Sequence, residues 1–420
     1  MRISESGKTV TIHVWVPDYA SAMGGIQTFS RLFVRALRDI YPNASISVFA
    51  KNDTSFPDTE NDPADHFTLV GWWSLLLRTP VFAAELFWRG IWERPDFVAI
   101  THVNFTPVAE ALQKACRIPY LAVGHGIEVW DLPGRRIPSA LRKADVLLAV
   151  SEFTRQKMAA ALGLPSHRIQ VLPNTFEAEQ FAPAVKAHFL LKRYHLRPDQ
   201  PVILTIARLA SAERYKGYDQ ILRVLPKVRE LMPDVHYILG GKGPDKARIE
   251  SLIAELGLED SVTLAGYVPD HELSAHYNLC DVFAMPSKGE GFGIVFLEAL
   301  ACGKAVIAGN KDGSADALQN GALGVLIDPD NLQELGDTIV AVLAEVESRK
   351  AKVESRPPTS DLRSPLPALT SDIRPLSSGP HIPEIVFQPE ELREKVIEYF
   401  GFERFKERLH EILAPLLKRL

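Results

Sequence analysis

Glu290 and Glu298 stand eight positions apart, and their neighbours decide what two carboxylates can do there. Gly289, Gly291 and Gly293 surround the first acid, and residues without a Cβ leave backbone N–H groups open to a ligand. The run at 294–301 has helix-forming character, so those N–H groups are expected at a helix N-terminus, a ready anion site. At about 3.6 residues per turn the two acids would not share a helical face. The glycines place Glu290 in the loop and Glu298 within the helix, both beside a held anion. Taken alone, the same pair would also serve acid–base chemistry.

Other constellations repeat the theme of a glycine or a charge at a turn. Gly24 and Gly25 precede an amphipathic run with Phe29, Leu32, Phe33, Leu37 and Ile40 on one side. Two glycines there let backbone reach a phosphate, or simply satisfy a tight strand–helix turn. Arg208 and Lys216 lie on one loop with Glu213 and Arg214, either as a cationic pair for a leaving diphosphate or as a solvated charge run. The turn at 240–245 carries Gly241 and Gly243, but Lys246 stands where a dinucleotide fingerprint wants a third glycine. Tyr267 follows another strand-end glycine and fits a plain hydrophobic strand end. His125 sits between Gly124 and Gly126, which keep its surroundings open. Asn174 and the 310–314 turn are further candidates, while Glu128 and Lys304 read as local partners. Asp328-Pro329-Asp330 mimics a metal-binding pair, yet its place between strand and helix reads as a capped turn, and no metal site is expected.

Together these residues resemble the retaining glycosyltransferases of family four, which have the GT-B fold. Glu290 and Glu298 match the family's Glu-x7-Glu acids, and Gly-Phe-Gly-Ile-Val at 291–295 matches the intervening loop. Gly-Gly-Ile-Gln at 24–27, the Arg208/Lys216 pair with Gly217, and His-Gly-x-Glu at 125–128 match further family positions. The loop between Arg208 and Lys216 is slightly long, and Pro173-Asn174-Thr175 lacks the glycine of the family's turn. The resemblance implies a nucleotide-diphosphate sugar as donor substrate and no cofactor. Glu298 would hold the ribose, and Glu290 and His125 the donor sugar. Arg208 and Lys216 would take the diphosphate, with backbone N–H groups at Phe292, Gly293, Ile294 and Val295. Gly24, Gly25, Gly241, Gly243 and Tyr267 would border the nucleotide. The acceptor would be a glycan or a lipid-linked sugar in cell-surface polysaccharide synthesis.

Strand-length apolar runs position these residues. One series falls at 10–16, 46–49, 97–100, 120–123, 146–150 and 169–172; a second at 202–207, 236–239, 262–265, 282–285, 305–308 and 324–327. Continuous apolar strands alternating with helices predict parallel sheets covered on both faces. The break between the series predicts an α/β architecture of two Rossmann-like, doubly wound domains, 1–180 and 195–348, with a cleft between them. The motifs fall at carboxyl ends of strands, where such sheets bind ligands. Residues 350–388 hold seven prolines among many serines, a composition expected to be disordered, and 390–420 returns to helices. In the resembling fold those helices cross back onto the first domain.

A length of 420 residues with 46% hydrophobic and 24% charged residues fits a globular protein with two full cores. A net charge of −5 without a basic run leaves no nucleic-acid footprint. Three scattered cysteines and a start without a signal-peptide pattern predict a cytoplasmic protein. Four of six tryptophans, Trp72, Trp73, Trp88 and Trp92, crowd residues 71–93. Arg78, Glu85, Arg89 and a break at Pro80 make that stretch too polar to span a bilayer, leaving a packed helix or one lying in a membrane interface. A non-catalytic partner subunit and a sugar-phosphate phosphorylase or epimerase remain as alternative functions. The first would be expected to lose Lys216, Glu290 or Glu298.

Overall fold

A computed structural model describes residues 9–20, 24–57, 62–132, 134–354 and 381–417. Its strands form two sheets, parallel throughout. The first contains β1 (Thr11–Val16), β2 (Ser45–Ala50), β3 (His66–Leu69), β4 (Phe97–Ile100), β5 (Tyr120–Gly124), β6 (Val146–Ala149) and β7 (Ile169–Val171), in the order β3-β2-β1-β4-β5-β6-β7. The second contains β8 (Val202–Ile206), β9 (His236–Gly240), β10 (Val262–Gly266), β11 (Val282–Met285), β12 (Ala305–Gly309) and β13 (Val325–Ile327), in the order β10-β9-β8-β11-β12-β13. Each order reverses beside its first strand, the doubly wound pattern. β4 and β11 are buried at every residue, because helices cover both faces and leave no polar alternation to preserve.

The chain divides into two compact units. Unit 1 gathers Met1–Ala178, Gly289–Leu297 and Ile397–Leu420; unit 2 gathers Glu179–Lys288 and Glu298–Val396. In unit 1, helix α1 (Gly25–Ile40) carries the C-terminal helix Phe402–Leu417. Phe405 meets Phe29 edge-on at 5.8 Å, and the Arg35 guanidinium lies 4.6 Å over the Phe402 ring. In unit 2, the helix Leu332–Glu354 packs on the helix Tyr218–Leu231 over a core that includes Leu225, Val228, Leu335 and Ile339.

Three features differ from the sequence expectation. β3 is an additional strand: four residues at a sheet edge, with only Leu69 buried, present too short an apolar run to register. Pro80 does not break the tryptophan-rich segment. Helix α2 (Leu75–Glu93) runs through it, because the carbonyl that Pro80 leaves unpaired belongs to exposed Leu76 and faces water. The Pro/Ser-rich stretch at 350–388 is structured at both ends. The helix Leu332–Glu354 passes its expected start, and the turn Glu384–Phe387 buries Val386 in the unit 2 core. Residues 355–380 lie outside the described residues, as do 1–8 and Met23 of the first glycine loop. Among the described residues no helix is long and apolar enough to cross a membrane.

Candidate functional site

In unit 1 the segment Gly289–Leu297 lies against the turn after β5. A Cβ built on Gly291 would fall 1.6 Å from the His125 carbonyl oxygen, so only glycine permits this approach. Thr154 Oγ1 donates to the Gly291 carbonyl at 3.2 Å, and Phe292 meets Phe400 edge-on at 5.4 Å. Gly293, at φ 88°, then turns the chain into the helix Ile294–Ala301. Glu290 is thus in the loop and Glu298 in the helix. Gly25 faces the same segment, since a Cβ there would lie 4.0 Å from Ile294 Cδ1, and Gly24 caps the start of α1. Unit 1 therefore brings Gly24, Gly25, His125, Phe292, Gly293 and Ile294 into one neighbourhood, with Glu290 and Val295 on the same segment.

His125 ends up neutral. Its ring stands edge-on to Phe29 at 4.8 Å, and Nε2–H donates to the Thr101 carbonyl at 2.9 Å. Burial holds its pKa down at about 4, against a smaller upward pull from that carbonyl. The ring is consequently a fixed, uncharged group with Nδ1 as its remaining acceptor. The Glu128 carboxylate accepts from the His125 backbone N–H, a local role.

In unit 2 the loop after β8 carries the two cations. Arg208 Nη2 lies 2.7 Å from one Glu213 oxygen, and Lys216 Nζ lies 3.9 Å from the other. Arg208 is 74% exposed, while Lys216 is only 16% exposed. Asp245 pins this loop: its carboxylate accepts from Ser211 at 3.1 Å, Arg214 at 3.3 Å, Tyr218 at 3.1 Å and Arg248 at 2.6 Å. Arg248 first, with the other donors behind it, holds that carboxyl well below the usual carboxylate range. Gly217, at φ 85°, presses against Pro286, where a Cβ would come within 2.4 Å of the carbonyl oxygen. Lys288 N–H donates to the Tyr215 carbonyl at 2.9 Å, so the loops after β8 and β11 are stapled together.

Gly241 and Gly243 have a packing duty of their own. Cβ atoms there would lie 1.8 Å from the Ala207 carbonyl oxygen and 2.0 Å from that of Leu209. Tyr267 is 47% exposed, with Lys242 Nζ 4.7 Å from its ring centre. Glu298 accepts from the buried phenol of Tyr277 at 2.6 Å. In the 310–314 turn, Asp312 accepts from Ser287 at 2.8 Å. Lys311 holds both Asp328 and Asp330, and Asn331 caps the following helix. Among the described residues no group of three His, Cys, Asp or Glu is placed to hold a metal. Asn174 is buried.

Sequence reasoning passed over Glu213, Asp245 and Tyr277. Glu213 read as part of a charge run, yet it is the carboxylate both cations face. Asp245 reaches Ser211, Arg214 and Tyr218, and Tyr277 reaches Glu298, all more than twenty positions away, so no local spacing reveals those contacts.

Two family models match the chain in succession: "Glycosyltransferase Family 4" over residues 23–180 and "Glycosyl transferases group 1" over residues 189–355. A GDP-mannose-dependent alpha-(1-6)-phosphatidylinositol monomannoside mannosyltransferase of Mycolicibacterium smegmatis is 34% identical over 54% of this chain. That match spans only 61% of the relative's length. A GDP-mannose-dependent monoacylated alpha-(1-6)-phosphatidylinositol monomannoside mannosyltransferase of Corynebacterium glutamicum is 29% identical over 83% of this chain and 92% of its own. Among solved structures, sucrose-phosphate synthase from Thermosynechococcus elongatus superposes with a TM-score of 0.76 at 19% identity, covering 98% of this chain and 100% of its own. Anabaena HepE in complex with UDP and glucose gives 0.72 at 17%, covering 97% and 100%. At these identities the structural likeness establishes the fold.

Proposed function

The chain belongs to the group 1, family-four glycosyltransferases with the GT-B fold, and from that premise we propose that it moves a hexose from a nucleotide-diphosphate sugar to a lipid-linked or glycan acceptor. GDP-mannose is the first donor to test, and a phosphatidylinositol-type glycolipid the first acceptor, because the mannosyltransferase relatives are named for them. Retention of configuration, a cytoplasmic location, peripheral membrane contact and a place in cell-surface glycan synthesis belong to the same proposal.

The observation that carries it is the pair Arg208 and Lys216, converging on Glu213 at the carboxyl end of β8. When the bond from sugar C1 to the diphosphate oxygen breaks, negative charge gathers on the leaving group. Two fixed cations stabilise that charge more in the transition state than before it. The acceptor oxygen bonds C1 on the same face, and its proton passes to a leaving-phosphate oxygen. Glu298, steadied by Tyr277, holds the ribose; Glu290 and neutral His125 hold sugar hydroxyls. The leading N–H groups of the helix Ile294–Ala301 add to the diphosphate contacts.

Thermal-shift measurements with UDP, GDP, ADP and their hexose conjugates test the donor class. Stabilisation by none of them counts against the reading, whereas a partner subunit would bind donor without turning it over. Lys216→Ala is expected to lower transfer by at least about a hundredfold, the scale for losing transition-state charge stabilisation, and Glu298→Ala to lower kcat/KM about tenfold to a hundredfold through the lost ribose contact, each with the fold intact. Near-normal transfer by both variants would sink the site assignment.

A further inference from the structure

Two side chains on the carboxyl edge of the second sheet are held together without any need of the fold for either. Tyr267, just past β10, is 47% exposed, while its neighbour Val268 is buried. Lys242, just past β9, keeps its ammonium 4.7 Å from the centre of the Tyr267 ring. Among the described residues no carboxylate pairs with Lys242, and the ring face is what stabilises its charge. The turns beneath are made by glycines and main chain. Gly241 and Gly243 flank Lys242 where a Cβ would strike backbone oxygens, and Leu209 N–H donates to the Lys242 carbonyl at 3.1 Å. Gly241 N–H donates to the Gly266 carbonyl at 2.6 Å, and Gly266, at φ 70°, then turns the chain into Tyr267.

Position along the sheet says which part of a nucleotide these side chains would meet. The order β10-β9-β8 sets Tyr267, Lys242 and Arg208 in one row at the carboxyl edge of unit 2. Neighbouring strands lie about 4.8 Å apart, so two spacings, about 10 Å, separate the strand of Tyr267 from that of Arg208. A phosphate at Arg208 therefore leaves room for a ribose before the ring is reached. An aromatic face receives a base, and a purine covers more of it than a pyrimidine. An ammonium beside that face favours the base with two acceptors on one edge. Guanine presents O6 and N7 there, whereas adenine sets an N6 amine, a donor, beside its N7. We propose that unit 2 selects a guanine nucleotide, with Tyr267 stacking on the purine and Lys242 donating to O6 and N7. As the base settles, Lys242 Nζ moves from the ring face to the base edge, which its exposed and flexible stem permits. The proposal rests on the nucleotide-sugar reading of the same site and adds which base is read and by which side chains.

Titration calorimetry of the full-length protein with GDP, IDP, ADP and UDP tests it. GDP and IDP share O6 and N7 and should bind with similar Kd, about fivefold or more tighter than ADP and UDP. Lys242→Gln should weaken GDP and IDP and strengthen ADP, because a carboxamide pairs with the N6 and N7 of adenine. Tyr267→Ala should weaken GDP about fivefold to a hundredfold and UDP by less. Melting temperatures of both variants should stay close to the wild-type value. Equal losses for GDP, ADP and UDP in Lys242→Gln would put the lysine on the phosphates and overturn the proposal. A wild-type chain that prefers UDP or ADP overturns the base selection alone and leaves the transferase reading standing. Binding of none of the four nucleotides would instead defeat the nucleotide-sugar reading, and this proposal with it.

Discussion

Tyr277 shows how much of a single glutamate's behaviour is set by a residue that no motif contains. Its phenol is buried and donates to Glu298 at 2.6 Å. Burial, and then the Glu298 charge, push the phenol pKa well above its ordinary value, so it remains a donor at any working pH. A hydrogen bond to a charged group contributes about 1.5–3 kcal/mol. Tyr277→Phe is therefore expected to raise the donor KM about tenfold or more, with kcat within about twofold. A merely structural role would lower the melting temperature and leave KM alone, so the split between KM and kcat decides. At this scale the placement of Glu290 in a loop and Glu298 in a helix was legible, because glycines and apolar runs are local signals. The contacts of Tyr277 with Glu298 and of Asp245 with Tyr218 were not, because those partners lie more than twenty positions apart, and Glu213 read as one charge among its neighbours because only the folded loop turns both cations onto it.

At the scale of elements, glycines separate into those the architecture requires and those it merely accommodates. Gly291 is required: its Cβ would land 1.6 Å from a backbone oxygen, and backbone cannot swing aside as a side chain would. Gly336 lies inside the helix Leu332–Glu354, where a Cβ would sit 3.6 Å from Val224 Cβ, an ordinary contact. Gly291→Ala is expected to destabilise by about 1–3 kcal/mol or more through overpacking. Gly336→Ala is expected to stabilise by up to about 1 kcal/mol, since glycine is the poorer helix former. Denaturant melts of the two single variants check both signs, and equal effects would contradict the contact geometry. Sequence reading found twelve of these thirteen strands because their cores are continuous apolar runs. β3 and the helix through Pro80 escaped it, since an edge strand needs little burial and a proline near a helix start leaves only a solvent-facing carbonyl unpaired.

For the whole molecule, the order of elements along the chain does not equal the order in which they share a core. The series of strands foretold two sheets, but unit 1 also recruits Gly289–Leu297 and Ile397–Leu420, which follow most of unit 2 in sequence. The helix Phe402–Leu417 buries Phe405, Leu409, Ile412, Leu413 and Leu416. Fully burying each such side chain contributes about 1.5–3 kcal/mol, so together they reach the order of an entire domain's stability, about 5–15 kcal/mol. The face of α1 that meets this helix would be left to water if the chain ended at Val396. Truncation there is expected to unfold unit 1 while unit 2, whose own core holds none of these residues, keeps a cooperative melt. Leu409→Ala offers the milder version, costing about 2–5 kcal/mol, with hydrogen exchange raised throughout the first sheet and little changed in the second. Exchange that rises in β8 to β13 as much as in β1 to β7 would mean that the two cores melt as one, against the division of the chain into separate units.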